Sequence, residues 1–312
     1  MLLKPFRLQS EYRDYVWGGK RLRPHVGTTA EVWMVYEENV IAEGKLQGKT
    51  LGQATKELGV ELVGTRAVMQ TGDRFPLLIK ILDCAAWLSL QVHPNDEQAE
   101  KWEGSGEFGK TEAWYVVDAD PGAQLVSGFL PGILPSRIKE SVGKKELMDI
   151  VRMVTMRKGD AILVTPGTIH ALGPGLMVYE VQQTSDITYR VYDWDRPMKA
   201  GRKLHLEQAA DVLKADTGNP VIRAEQVENG SKPFITSEYF SLELLTHPIE
   251  QIWKNTNGES FHSLTMIDGK GSVAGDGWNV TLEKYENLLV PACVGRYQVA
   301  THGSKCLLAF VL

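Results

Sequence analysis

The chain has little cysteine: three thiols in 312 residues, Cys84, Cys293 and Cys306, with no CxxC spacing. That excludes a disulfide framework and a cysteine-type zinc site. Long apolar runs are missing as well. No uninterrupted stretch approaches the roughly 20 residues of a membrane span. The N-terminal MLLKPFRLQSEYRDY has no apolar segment behind a basic start, so no signal peptide is expected. Nor is there an excess of charge of one sign. Lys and Arg number 34 against 39 Asp and Glu, and the two signs are interspersed. This gives neither a basic footprint for nucleic acid nor a polybasic patch for a membrane. The expectation is a soluble, cytoplasmic protein.

What is present suffices for a large core. Apolar residues make up 43% of the chain, enough for one big domain or two ordinary ones. Thirty glycines and short apolar runs between turn residues indicate a β-rich chain. Strands are expected at Glu31–Tyr36, Leu77–His93, Ala113–Asp118, Ala161–Pro166, Met177–Gln182 and Tyr189–Trp194, then at Tyr239–Thr246, Ser263–Ile267, Asn287–Pro291 and Lys305–Leu312. Helical patterns are fewer: Thr50–Gln70, Ser136–Met153 and Leu206–Ala215. The expected class is therefore all-β, a sandwich or jelly-roll barrel with a few inserted helices, and not alternating βαβ units.

The turn-rich stretch DTGNPVIRAEQVENGSKPF, starting at Asp216, precedes a second run of strands. It divides the chain into residues 1–225 and 226–312. The halves share an echo: GDAILVTPGTIHAL (Gly159–Leu172) and ENLLVPACVGRY (Glu286–Tyr297) are both apolar strands ending in proline. Aligning Pro166 with Pro291 sets His170 on Gly295, so the second copy is expected to lack a ligand there.

GSGEFGKT (Gly104–Thr111) fits the phosphate-loop pattern letter for letter. That loop needs a buried strand before it and a helix after it, so that backbone N–H groups and the helix N-terminus face the phosphates. Here the preceding DEQAEKWE reads as helix and the following EAWYVVDAD as strand. With the order inverted, nucleotide binding is not expected.

A different constellation carries more chemistry. In LSLQVHPND (Leu88–Asp96), Trp87, Ser89, Gln91 and His93 alternate with Leu88, Leu90 and Val92. The polar face is either the wet side of a surface strand or the wall of a site. Glu112 opens a strand of large apolar residues, and His170 follows a Pro-Gly turn after another. His93, His170 and Glu112 make a set of two imidazoles and one carboxylate suited to Zn²⁺ with an open position, with the Gln91 amide oxygen as a weaker fourth ligand. His25, His205, His247, His262 and His302 are read as structural or surface residues. In TSDITYRVYDWDRP (Thr184–Pro197), Arg190 is either a strand-face arginine paired to Asp193 or Asp186, or a fixed cation for an anionic substrate.

QVHPND, GKTEAWYV, VTPGTIHAL and VQQTSDITYRVYDWDR, in this order, resemble type I mannose-6-phosphate isomerases, and most nearly their short bacterial form. WGG (Trp17–Gly19), RFPLLIKILD (Arg74–Asp83) and KLHLEQA (Lys203–Ala209) fit the same pattern. The likeness covers most of residues 10–215 and thins beyond. It implies a cupin fold, with a catalytic metal-binding barrel over residues 1–225 and a second, degenerate barrel over 226–312. It also implies one Zn²⁺ held by Gln91, His93, Glu112 and His170, and interconversion of mannose 6-phosphate and fructose 6-phosphate through a cis-enediol. Arg190 matches the family's active-site arginine, and Lys110 matches its lysine two positions before the glutamate. Lys110 is then a candidate for proton transfer, Arg190 for the phosphate or the enediolate, and Ser89 for the phosphate. The implied partner is a small sugar phosphate, and the chain is expected to be a monomer or homodimer. The alternative is a metal-binding cupin that acts on, or senses, another sugar phosphate.

Overall fold

The computed structural model describes residues 3–196, 202–227 and 232–312; Pro197, at the end of the TSDITYRVYDWDRP motif, lies outside them. Antiparallel strands dominate, as expected. The strands up to residue 192 are β1 Glu11–Arg13, β2 Glu31–Val35, β3 Leu77–Asp83, β4 Leu90–Val92, β5 Glu112–Ala119, β6 Gln124–Phe129, β7 Val151–Thr155, β8 Ala161–Val164, β9 His170–Leu172, β10 Leu176–Gln183 and β11 Tyr189–Tyr192. Those beyond it are β12 Ile235–Thr236, β13 Ser241–Leu245, β14 Ile252–Asn255, β15 His262–Asp268, β16 Gly271–Gly275, β17 Trp278–Leu282, β18 Asn287–Val290, β19 Arg296–Ala300 and β20 Lys305–Phe310.

The chain forms two compact units. One comprises Tyr12–Val32 and Lys80–Ala224; the other comprises Met1–Glu11, Trp33–Ile79 and Glu225–Leu312. In the first unit, β3, β10, β5 and β8 are neighbours in that order in one sheet, and β11, β4, β9, β6 and β7 in another. The residues between the sheets are apolar and large: Trp17, Leu82, Leu88, Trp114, Val116, Leu125, Ile162, Leu172 and Val178 form one cluster. The outer face of the second sheet carries a separate cluster. Its Leu90, Val92, Ala171 and Val191 pack with Ile138, Leu147, Ala209 and Val212 from the inserted helical segments.

The second unit repeats this plan. β13, β20, β15 and β18 form one sheet, with β14, β19, β16 and β17 in the other. The register aligns the two barrels residue by residue. Glu112 opposes Val164 as His262 opposes Val290. Leu125 opposes Leu172 as Val273 opposes Val299, and Gln91 opposes His170 as Lys254 opposes Tyr297. The counterpart of His170 is thus Tyr297, two residues beyond the Gly295 expected from the proline alignment. A 3₁₀ turn at Ala292–Val294 follows Pro291 and shifts the register.

Two expected helices are broken. Thr50–Gln70 is three pieces, Leu51–Leu58, Val60–Val63 and Thr65–Thr71, because Gly59 and Gly64 take positive φ between them. Ser136–Met153 yields only Pro135–Ser141, then a 3₁₀ turn and the strand β7. Leu206–Ala215 is helical over Leu206–Val212. The expected single strand Leu77–His93 is β3 and β4 with an irregular link. β3 ends at Asp83, whose buried carboxylate accepts from Arg21 N (2.7 Å) and Nε (2.6 Å). The glycines of Trp17–Gly19 allow this close approach. A Cβ on Gly19 would lie 2.2 Å from the Asp83 carboxylate, and one on Gly18 would lie 2.7 Å from the Ala30 backbone.

Candidate metal centre

Alternation along β4 holds only within the strand. Leu90 and Val92 face the outer cluster, while Gln91 faces the interior. Outside the strand the expected faces exchange: Leu88 joins the inner cluster and Trp87 packs outward against Trp194, with ring centroids 5.1 Å apart. His93 follows β4, Glu112 begins β5, and His170 begins β9.

These three side chains meet. His93 Nε2 lies 3.1 Å from His170 Nε2. Glu112 Oε2 is 3.4 Å from His93 Nε2, and Oε1 is 3.3 Å from His170 Nε2. Backbone carbonyls fix both rings: His93 Nδ1 donates to Ile187 O and His170 Nδ1 to Thr168 O, each at 2.9 Å. With the protons on Nδ1, both Nε2 atoms present lone pairs to a common point. All three residues are almost wholly buried. Neither Glu112 oxygen has a hydrogen bond of acceptable geometry, although Lys110 Nζ stands 3.1 Å from Oε2. Lys110 is the one cation among the described residues beside this buried carboxylate, and it reaches only Oε2; Oε1, between the two rings, has no donor. Among the described residues this is the one cluster of His, Cys, Asp and Glu with ligand spacing.

The electrostatics keep the set deprotonated. Burial and the Lys110 ammonium push His93 down to about 3, and burial lowers His170. Burial alone would raise Glu112, but Lys110 and the two imidazoles outweigh it and hold the carboxyl well below its usual range. The amide end of Gln91 lies 3.3 Å from His170 Nε2, beside the cluster.

A cavity of about 930 Å³ opens alongside, lined by Ser89, Gln91, Lys110 and Arg190 among others. All the residues singled out from the sequence are therefore brought to this cavity or to the cluster beside it. Asp193 does not pair with Arg190; its carboxylate is taken by Arg196 and Arg202. The cavity also exposes groups that the sequence reading missed: Glu31, Lys80, Glu180, Arg196 and Arg202. Lys80 Nζ lies 3.3 Å from Glu180 and 3.8 Å from Glu31, and Trp114 Nε1 donates to Glu180 Oε2 at 2.7 Å. Burial and the neighbouring Glu112 raise the Glu180 carboxyl above its usual range. The signal was available: Lys80 and Glu180 are single charges inside the otherwise apolar stretches LLIKIL and LMVYEV, where a charge needs a partner or a task.

The phosphate-loop lookalike has a packing explanation. It lies between the helix Asp96–Glu103 and β5, the inverse of the nucleotide-binding order. A Cβ on Gly109 would meet the Asn95 and Asp96 backbone at 2.5–2.6 Å, and Gly109 N donates to Asp96 Oδ1 at 2.7 Å.

No helix among the described residues is long and apolar enough to cross a membrane. Residues 5–120 match the family model of the phosphomannose isomerase type I catalytic domain, and residues 231–309 match that of the mannose-6-phosphate isomerase cupin domain. The chain is 32% identical to a mannose-6-phosphate isomerase of Streptococcus mutans, over 98% of this chain and all of that relative. It is 30% identical to the mannose-6-phosphate isomerase ManA of Bacillus subtilis, over 99% of both. Among solved structures, the mannose 6-phosphate isomerase of Bacillus subtilis superposes with a TM-score of 0.85 at 29% identity, over 99% of this chain and 100% of that one. A phosphomannose isomerase variant from Salmonella typhimurium shares the fold, with a TM-score of 0.76 at 14% identity over 99% of both chains.

Proposed function

This chain belongs to the type I mannose-6-phosphate isomerases, and from that premise we propose that it interconverts mannose 6-phosphate and fructose 6-phosphate through a cis-enediol. We assign one zinc ion to His93, Glu112, His170 and Gln91. The observation that carries this reading is the convergence of two imidazole lone pairs on a buried carboxylate with no hydrogen bond. A second proton on either ring is disfavoured, because burial and the Lys110 ammonium push His93 down to about 3 and burial lowers His170. Two neutral imidazoles and a carboxylate suit Zn²⁺. Bound there, the ion supplies Lewis acidity that stabilises negative charge developing on the sugar oxygens.

The chain's own groups supply the rest. Proton exchange between C1 and C2 falls to Lys110 or Glu180, both buried and both lining the cavity. A carboxyl raised above its usual range, as in Glu180, exchanges its proton nearer neutrality, which favours acid–base work. Lys80 holds that carboxyl in place through their ion pair. Ser89 and Arg190 face the same space, positioned for the phosphate and the enediolate oxygens. Trp17, Leu82, Leu88, Trp114 and Leu172 line the cavity with apolar surface, which strengthens every electrostatic contact inside it. Three unpaired cysteines suit a reducing compartment, and we place the reaction in the cytoplasm.

The test is a coupled assay for fructose 6-phosphate formed from mannose 6-phosphate, with and without a chelator. Turnover lost on chelation and restored by Zn²⁺ is expected. Zinc-loaded protein without turnover would defeat the isomerase reading and leave the alternative, a cupin directed at another sugar phosphate.

A further inference from the structure

The end of β11 carries a strained turn with a charged purpose. Trp194 and Asp195 both have positive φ, 56° and 52°, and Arg196 N donates to Asp193 O at 3.0 Å. Successive left-handed residues closed by such a bond define a type I′ turn, whose central positions normally go to Asn and Gly. Non-glycine residues there are strained and persist only where the surroundings hold them. Here they do. Trp194 Nε1 donates to Leu88 O at 2.7 Å, its ring packs on Trp87 and Tyr192, and Tyr192 OH donates to the Asp195 carboxylate at 3.0 Å.

The turn delivers Arg196 back onto Asp193. The Asp193 carboxylate, 8% exposed, accepts from Arg196 Nη2 at 2.5 Å and from Arg202 Nε and Nη2 at 2.7 and 2.5 Å. Both arginines line the cavity beside the metal cluster, as does Arg190. Three guanidinium groups therefore line the same wall, two of them bound to the one Asp193 carboxylate and the third, Arg190, outside that pairing. Among the described residues, no carboxylate lies within ion-pair distance of Arg190. Burial and the proximity of Arg202 push the Arg190 guanidinium below its usual range, although Asp193 and Asp186 act in the opposite direction. Like charges gathered in a half-buried wall call for an anion.

We infer that Asp193 is a positioning residue: by clamping Arg196 and Arg202 it presents, beside Arg190, a fixed array of N–H donors for the phosphate of the substrate. This rests on the sugar-phosphate reading above. Fixed guanidinium forks recognise phosphate by paired N–H donors, and their benefit depends on being held before the ligand arrives.

The test is Asp193→Asn, isosteric but a poorer partner for two guanidinium groups. Kinetics with mannose 6-phosphate give KM and kcat, competition gives the inhibition constant of inorganic phosphate, and calorimetry on zinc-loaded protein gives phosphate affinity without turnover. KM and the phosphate constant should each rise about tenfold, with kcat within about twofold. Arg202→Gln should shift both constants in the same direction. If Asp193→Asn tightens phosphate because net charge is all that matters, or lowers kcat and thermal stability while phosphate affinity stays unchanged, the inference fails. Should that variant not fold, unchanged constants in Arg202→Gln overturn it equally well. A wild type that binds phosphate without isomerising, and loses that affinity in Asp193→Asn, keeps the anion subsite and sinks only the isomerase reading.

Discussion

His93 Nε2 and His170 Nε2 face each other at 3.1 Å, each ring locked by an Nδ1–H bond to a backbone carbonyl. Two lone pairs at that distance beside an ionised carboxylate repel, and a shared cation turns the repulsion into coordination. Zn²⁺ should therefore raise the melting temperature of the protein, by mass action on the folded state. His170→Ala should abolish that rise and bind metal about 10–100-fold more weakly at least, by analogy with losses from disturbing the outer shell of a metal site. Metal content after dialysis and melting curves with and without Zn²⁺ check both points. Full metal content in the variant would mean the ligand set is wrong.

Glu180→Gln keeps an acceptor for the Trp114 indole but removes the titrating proton. If Glu180 exchanges the substrate proton, kcat should fall by about 10²–10⁴-fold with metal content unchanged. A variant with near-wild-type kcat would return that task to Lys110.

Gly109→Ala tests the packing account of the phosphate-loop lookalike. The new Cβ meets the Asn95 and Asp96 backbone, a clash that costs about 1–3 kcal/mol in a well-packed site. Chemical denaturation should show that loss, and the wild type should bind no ATP by calorimetry.

His262 provides a pH signature away from the metal ligands. Its imidazole is pushed down to about 3 by burial and by the nearby Lys254. It meets Tyr297 OH at 2.6 Å through Nδ1 and packs against the Phe310 ring, while Lys254 itself is paired with Glu243. A depressed folded-state value means that the unfolded chain binds the proton first. The stabilisation is then complete above about pH 6.5 and is lost as pH falls toward 3, with a slope of at most about 1.4 kcal/mol per pH unit for one proton. In His262→Gln the decline in melting temperature over that window should be shallower. An unchanged slope would show that His262 does not carry it.

The sequence revealed much of this site because its donors are rare residue types in apolar stretches. Gln91, His93, Glu112 and His170 each interrupt a run that packing alone would fill with Val, Ile or Leu. Lys80 and Glu180 obey the same logic and carried the same signal; what no local pattern shows is that they pair with each other and face the cavity. Arg196 and Arg202 were hidden because their partner, Asp193, reads as the partner of Arg190, and only the turn at Trp194 and Asp195 redirects it. Helix lengths failed where Gly59, Gly64 and Gly143 interrupt helical periodicity. The grouping of Trp33–Ile79 with Glu225–Leu312 was not visible either, since it depends on contacts between segments far apart in sequence.

The repeated strand order of the two barrels has a consequence of its own. At the positions of Gln91, Glu112 and His170 the second barrel carries Lys254, His262 and Tyr297, where a Lys–Glu pair and an imidazole–phenol bond close the interior charges on one another. One architecture thus occurs twice, once with a set of donors that the proposed ion would close and once already closed. Chelation should accordingly speed amide hydrogen exchange in β4, β5 and β9 while leaving β14, β15 and β19 at their original protection.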